Sequence, residues 1–238
     1  MFLYGYHPVR EALRHRPHEV ARVLVSANRT GRRREEVEEL CARHHVTLEV
    51  VPEKALSERA GPAHNGMAAE VREAAGSAPS GTEQTADSDL IVLLEDVQDP
   101  RNLGAVLRVC EGAGAGRVLI RDRGAAPVSP TVVKTSAGAA EWLDVERITN
   151  TGQELERLKD AGFWVYGTDA DGVPPWEIDL SGKVVLCFGG EEKGLRSRTR
   201  QLCDGMIGLP MRGRVGSLNI STAAAAVLYE AVRQRWKS

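Results

Sequence analysis

A chain of 238 residues is long enough to bury one large core or two smaller ones. With 42% hydrophobic and 27% charged residues the composition is ordinary for a globular protein, and no run approaches the roughly 18 apolar residues of a membrane span. The formal net charge of −2 gives no general attraction to nucleic acid, so any such contact has to come from local clusters.

The opening "MFLYGYHPVREAL" lacks the basic-then-apolar order of a signal peptide. Short strands then alternate with helices: "ARVLVS", the Arg/Glu-rich "REEVEELCARHH", "VTLEVV", a helix near "EKALSERA", and "GMAAEV". This pattern predicts a small α/β unit over residues 1–75. The run "NRTGRRR" (28–34) leads into a helix, and composition alone fits a solvated helix start as well as an RNA contact at Arg32, Arg33 and Arg34. His64 and Asn65 read as structural or surface residues of this unit. Residues 76–88, "GSAPSGTEQTADS", carry no large apolar side chain and read as a linker.

All six histidines lie at or before His64, so chemistry in residues 89–238 proceeds without histidine. The four cysteines (Cys41, Cys110, Cys187, Cys203) form no Cys-x-x-Cys pair, which argues against a zinc site or a disulfide framework and fits a reducing cytoplasm. After the linker come "LIVLLE", a helix over 102–112, "RVLIR", "FWVYGTD", "KVVLCFGG", "GMIGLP" and a final helix over 221–235. Continuous apolar strands alternating with helices predict a parallel sheet covered on both faces. On the last helix Val227, Leu228, Ala231 and Val232 form an apolar stripe that suits either a subunit contact or the chain's own sheet.

The glycine-rich stretches fail as nucleotide-phosphate loops. "EGAGAGRVLI" (111–120) runs helix to strand, the reverse of a dinucleotide fingerprint, and reads as a helix C-cap with a tight turn. "CFGGEEKGLRS" lacks the Gly-Lys-Ser/Thr of a P-loop, and Glu191 and Glu192 would repel phosphate. Three loops remain, all at strand C-terminal ends, where open α/β sheets bind ligands. They are "EDVQDPRNLGAVLRVCEGAG", "FGGEEKGL" and "LPMRGRVGSLNIS". By position Asn102 is a helix N-cap, Arg108 a solvated or paired helix residue, Glu191 a cap for the next helix, and Ser217 and Asn219 helix-start residues.

In this order the loops closely resemble the signatures of the SpoU (TrmH-type) RNA ribose 2'-O-methyltransferases of the SPOUT superfamily, nearest to those acting on a guanosine of bacterial 23S rRNA. Asn-x-Gly with a following Arg appears as Asn102, Gly104 and Arg108. Gly-x-Glu-x-x-Gly-Leu appears as Gly189, Glu191, Gly194 and Leu195, with Glu192 departing from the small residue that many members carry. Pro-Met with Ser-Leu-Asn-x-Ser appears as Pro210, Met211, Ser217, Leu218, Asn219 and Ser221. The resemblance covers residues 89–238 strongly, and "YGYHPVREAL" and "HNGMAAEV" look like the ends of the ribosomal-protein-like amino-terminal domain of rRNA-modifying members.

That resemblance implies an α/β parallel-sheet domain ending in a deep trefoil knot, whose threaded segment forms the cofactor pocket. Gly213 and Gly216 would let that segment turn sharply against the cofactor. The implied cofactor is S-adenosylmethionine, bound around Gly189, Leu209 and Leu218 with Thr168, Gly190, Met211 and Asn219 beside them, and no metal. Arg108, exposed at the pocket mouth, is implied as the residue that engages an RNA phosphate and manages the ribose proton. Asn219 would position the ribose or Arg108, Ser217 would support the loop, Glu191 would orient groups in the pocket, and Asn102 would complete the set. Arg212 and Arg214 would face RNA phosphates. The expected partners are large-subunit ribosomal RNA, or an assembling particle, and a second copy of the chain through the catalytic domain. Alternatives are a tRNA ribose methyltransferase, an antibiotic-resistance rRNA methylase, and an idle RNA-binding assembly factor.

Overall fold

The computed structural model describes residues 2–60, 64–72, 89–190 and 193–236. The expected linker and Glu191 lie outside the described residues. The first unit runs β1 (Phe2–Tyr4), α1 (Tyr6–His15), β2 (Val20–Ser26), α2 (Arg32–Arg43), β3 (Thr47–Val51), α3 (Glu53–Ala60) and β4 (Met67–Val71). Its sheet has the order β1-β4-β2-β3, with β2 and β3 parallel and β4 antiparallel to both β1 and β2. His64 is structural, as expected: its Nδ1 accepts from Gly66 N–H at 2.8 Å, which leaves Nε2 to donate to Ser57 Oγ at 2.9 Å.

The second unit runs β5 (Leu90–Leu94), α4 (Pro100–Gly112), β6 (Arg117–Arg121), α5 (Pro130–Thr135), β7 (Asp144–Ile148), α6 (Thr151–Asp160) and β8 (Trp164–Val173). It continues through β9 (Val184–Phe188), α7 (Ser197–Leu202), β10 (Gly205–Ile207) and α8 (Ile220–Arg235). The six strands lie in the order β10-β8-β9-β5-β6-β7 and every pairing is parallel. Every residue of β5 and β9 is buried, as strands covered on both faces require. From β5 the chain winds outward through β6 and β7, then returns to the other side of β5. The switch point therefore falls between β5 and β9, and a ligand crevice belongs outside their carboxyl ends.

Helix α4 shows how local chemistry sets an element. Asp99 caps it, accepting from Arg101 N–H at 2.7 Å, and Pro100 occupies the first turn. At the far end Gly114 takes φ +72, while Ala115 N–H bonds Cys110 O and Gly114 N–H bonds Glu111 O, the paired contacts of a Schellman cap. Asn102 is therefore not the cap: the Asp-Pro pair starts the helix three residues earlier and puts Asn102 inside its first turn. The apolar face of α4 carries Leu103, Val106, Leu107 and Cys110 into the core. Gly104 lets α5 approach, since a Cβ there would lie 2.7 Å from the Thr135 Cβ.

Helix α8 packs along α4. Val227, Leu228 and Ala231 of the expected stripe are buried within the chain's own core, and Val232 is half-buried. That stripe serves the chain itself; Tyr229 on α8 and Trp236 just past its end are exposed instead.

The two units share one continuous apolar cluster and meet where β1 and α1 rest on α5 and the turn after it. Tyr4 Oη lies 3.1 Å from Thr131 Oγ1, and Lys134 Nζ stands 5.3 Å over the Tyr4 ring. Beneath them is a buried ionic cluster. Arg16 pairs with Glu141, Arg10 with Glu11 at 2.5 Å, and Glu11 packs under Gly138, whose φ of +91 suits glycine. Burial pushes the Glu141 carboxyl up to about 7 even though Arg16 pulls it down.

Candidate active site

At the carboxyl ends of β8, β9 and β10 a cavity of about 540 Å³ opens. Gly189, Leu209, Leu218, Thr168, Gly190, Met211 and Asn219, the seven expected cofactor residues, all line it, and Ser217 joins them. Apolar Phe188, Ile207 and Ile220 form the floor, while Asp169 supplies a carboxylate. The wall thus mixes apolar side chains and glycine backbone with convergent polar groups, a make-up that suits a cofactor with both kinds of surface.

Buried and bridging contacts hold the loops in place. Glu95, fully buried at the end of β5, accepts from Thr199 Oγ1 at 2.7 Å and from Arg196 N–H at 3.1 Å, which ties the first loop to the second. Asp96, at φ +54, receives Arg196 through Nε at 2.9 Å and Nη2 at 3.1 Å, and Arg121 at 3.2 Å. The first and third loops are joined by Asn219 Nδ2 donating to Asn102 Oδ1 at 3.1 Å. Asn219 also caps α8, its Oδ1 accepting from Ser221 N–H at 2.9 Å. Asn219 therefore stands both at the start of α8 and on the cavity wall.

Two expectations need correction. Gly213 and Gly216 have no left-handed φ and nothing within 4 Å of a Cβ, although Gly216 lines the cavity. The close backbone approach occurs at Gly208 instead, where a Cβ would meet Gly172 O at 2.5 Å. Arg108 is exposed but lines no part of the cavity. Six residues at 100° each leave Arg108 about 120° around α4 from Asn102, the residue that bonds the third loop, so the two sit on different faces of the helix. Through space the Arg108 charge adds a small part to burial, Arg10 and Arg33 in holding the His7 imidazole of α1 below its ordinary value.

Among the basic residues, Arg33 stands 5.2 Å over the Tyr6 ring and Arg10 lies 5.4 Å from the same ring, while Arg32 is exposed. Arg34 is turned inward, bonded to Glu38 at 2.6 Å and to Arg29 O at 2.9 Å. Arg212 and Arg214 are exposed on the third loop. Among the described residues no group of three or more His, Cys, Asp or Glu could hold a metal ion, and no helix is long and apolar enough to cross a membrane. Sequence reasoning missed Asp169, Lys193 and Glu95. The first had a signal, the acid in "GTDADG" at the end of an apolar strand.

The fold and the cavity thus define a two-unit α/β protein with a ligand site at the carboxyl ends of parallel strands β8, β9 and β10, beside the switch point of the sheet. Residues 89–229, more than half of the chain, match the SpoU rRNA Methylase family, and the chain belongs to it. Residues 2–75 match the RNA 2'-O ribose methyltransferase substrate-binding family. The chain is 36% identical to the 23S rRNA (guanosine-2'-O-)-methyltransferase RlmB of Pseudomonas putida, covering 98% of this chain and 96% of that one. It is 38% identical, with the same coverage, to the protein of that name from Xanthomonas axonopodis pv. citri. The SpoU methyltransferase AviRb from Streptomyces viridochromogenes, solved in complex with the cofactor AdoMet, superposes with a TM-score of 0.82. It is 26% identical, and the match covers 100% of this chain and 91% of that one.

Proposed function

We propose that this chain is an S-adenosylmethionine-dependent methyltransferase that methylates a ribose 2'-hydroxyl, on a guanosine, in 23S ribosomal RNA in the cytoplasm. The observation that carries this reading is the meeting of the second and third loops on one cavity, with the first loop tied to the third by the Asn219–Asn102 bond, in a chain that matches both the SpoU methylase and its substrate-binding companion. Residues 1–75 would hold RNA, 76–88 would link, and 89–238 would carry the transfer.

Gly189, Gly190, Leu209, Met211 and Leu218 would hold the cofactor, with Thr168 and Asn219 at its polar groups. When bound, S-adenosylmethionine supplies a methyl activated by its sulfonium, so the protein needs neither metal nor covalent intermediate. The chain's residues align the ribose O2' with that methyl. Held in line, the O2' would accept that methyl while its proton passes to solvent water, a guanidinium being already protonated. Ser217 would support the third loop, Asn102 holds Asn219, and Arg212 and Arg214 would meet phosphates, with Glu191 kept in the set by the family pattern alone.

Arg108 would engage an RNA phosphate and steady the charge that develops on O2'. Because Arg108 faces away from its own cavity, that role requires the cavity of a second protomer, so we join it to a homodimer built through α4 and α8. Tyr229 on α8 and Trp236 just past its end, both exposed, support that surface. We also infer that the chain is knotted near Gly172 and Gly208. Pulled from both ends, it should release less length than an unknotted chain at about 3.3–3.6 Å per residue; full release would contradict the knot.

The direct test is transfer from tritium-labelled S-adenosylmethionine to unmodified large-subunit rRNA in the presence of a chelator. Label is expected in dinucleotides that resist alkali, because a methylated O2' blocks alkaline cleavage. Label on a base, or none, refutes the reading.

A further inference from the structure

A second cavity of about 320 Å³ adjoins the first, and the two share Gly190, Lys193 and Ile220. Asp96, Gln98, Asp99 and Arg196 complete most of its wall. Transfer of a methyl group demands that the accepting ribose lie beside the cofactor, and a base inside an RNA stack cannot enter a cleft without turning out. We propose that this second cavity receives the outturned base of the target nucleotide, and that Asp99 with Gln98 reads it as guanine. The proposal rests on the methyltransferase reading above and goes beyond it, to the residues that select the base.

The wall chemistry singles out those two side chains. Asp96 is occupied, both of its oxygens bonded by Arg196 and one also by Arg121. Asp99 spends only Oδ1, on Arg101 N–H, and is exposed on the cavity side of the α4 start. Gln98, also exposed, bonds to nothing among the described residues. A carboxylate only accepts, so it favours a base edge offering two adjacent donors. Guanine has that edge in N1–H and the N2 amino group. Adenine and cytosine pair an amino donor with a ring-nitrogen acceptor, and uracil flanks its one N–H with carbonyls that a carboxylate repels. Gln98 supplies an amide donor and an acceptor for the remaining O6 or N2 position. Lys193, bordering both cavities, stands where the base joins the ribose and its phosphate.

The test begins by mapping the methylated ribose on large-subunit rRNA. A short RNA fragment carrying that nucleotide is then made with guanosine or with inosine, which lacks only the N2 amino group, at the target position. Wild type should lose roughly 10- to 150-fold in kcat/KM on inosine, the worth of one hydrogen bond to a charged acceptor. Asp99→Asn keeps a capping oxygen for α4 but not the paired acceptors, so its guanosine-to-inosine ratio should fall toward one with thermal stability unchanged. Gln98→Ala should narrow the ratio as well. A mapped target other than guanosine, a wild-type ratio near one, or an unchanged ratio in Asp99→Asn overturns the base-reading proposal and leaves the enzyme reading standing. No transfer by wild type to any ribosomal RNA overturns both.

Discussion

Asn219 does two jobs that substitution can separate. Its Oδ1 caps α8 through Ser221 N–H, and its Nδ2 fastens the third loop to Asn102 on α4. Replacing an Asn cap by alanine costs about 1 kcal/mol, and a hydrogen bond at a partly exposed site contributes roughly 0.5–1 kcal/mol. Asn219→Ala should therefore destabilise by about 1.5–2 kcal/mol, or about 3–8 °C in Tm for a chain of this size. Asn219→Ser keeps a capping oxygen without the reach to Asn102 and should lose only the second part, as should Asn102→Ala. Urea unfolding followed by circular dichroism gives these differences. In the cycle of Asn102→Ala with Asn219→Ala the double variant should cost less than the sum, by the roughly 0.5–1 kcal/mol of the shared bond. Calorimetry should show each single variant binding S-adenosylmethionine more weakly, because the loop bearing Ser217 and Leu218 has lost an anchor. Additivity within about 0.3 kcal/mol would refute the claim that this bond couples the two loops.

Arg108→Ala should reduce single-turnover methylation by about 10²- to 10⁴-fold with cofactor affinity nearly intact, and lysine should rescue poorly. Mixing Arg108→Ala with Asn219→Ala chains should restore up to about a quarter of wild-type activity if each site in a dimer draws on both protomers; no recovery would place Arg108 outside the shared site. Replacing Arg32 and Arg33 with alanine should weaken RNA binding and flatten its salt dependence while sparing the cofactor. Adding Arg34→Ala should contribute little more, since Glu38 and Arg29 O already hold that side chain. Glu141, raised from 4.5 to about 7 in the folded protein, favours folding fully below its unfolded value and loses that contribution as pH rises through about 7. Stability should fall by at most roughly 3 kcal/mol across that window, and urea midpoints for Glu141→Gln should show the slope removed; an identical slope would discharge Glu141.

The strands at the centre of the large sheet were legible because full burial forces continuous apolar runs, as in "LIVLL" and "VVLCF". Strand β7, "DVERI", lies at the sheet edge with two exposed residues and gave no such signal. Asp99-Pro100 announced the start of α4 and was passed over in favour of Asn102, although an acid before proline is the stronger start signal. The facing of Arg108 was likewise open to arithmetic at 100° per residue. Glu95 was not legible. Its bonding partners, Arg196 and Thr199, stand 101 and 104 positions away, and only the closed fold turns a strand-end acid into a buried tie. The cavity residues were found because three short patterns recur together, and each pattern alone also fits a cap or a turn.

The most direct test is a map of ribose 2'-O-methylation on large-subunit rRNA from cells with and without this gene. The account predicts that one methylated guanosine loses its ribose methyl when the gene is removed, and regains it from the wild-type chain but not from Arg108→Ala. Identical maps with and without the gene would contradict it.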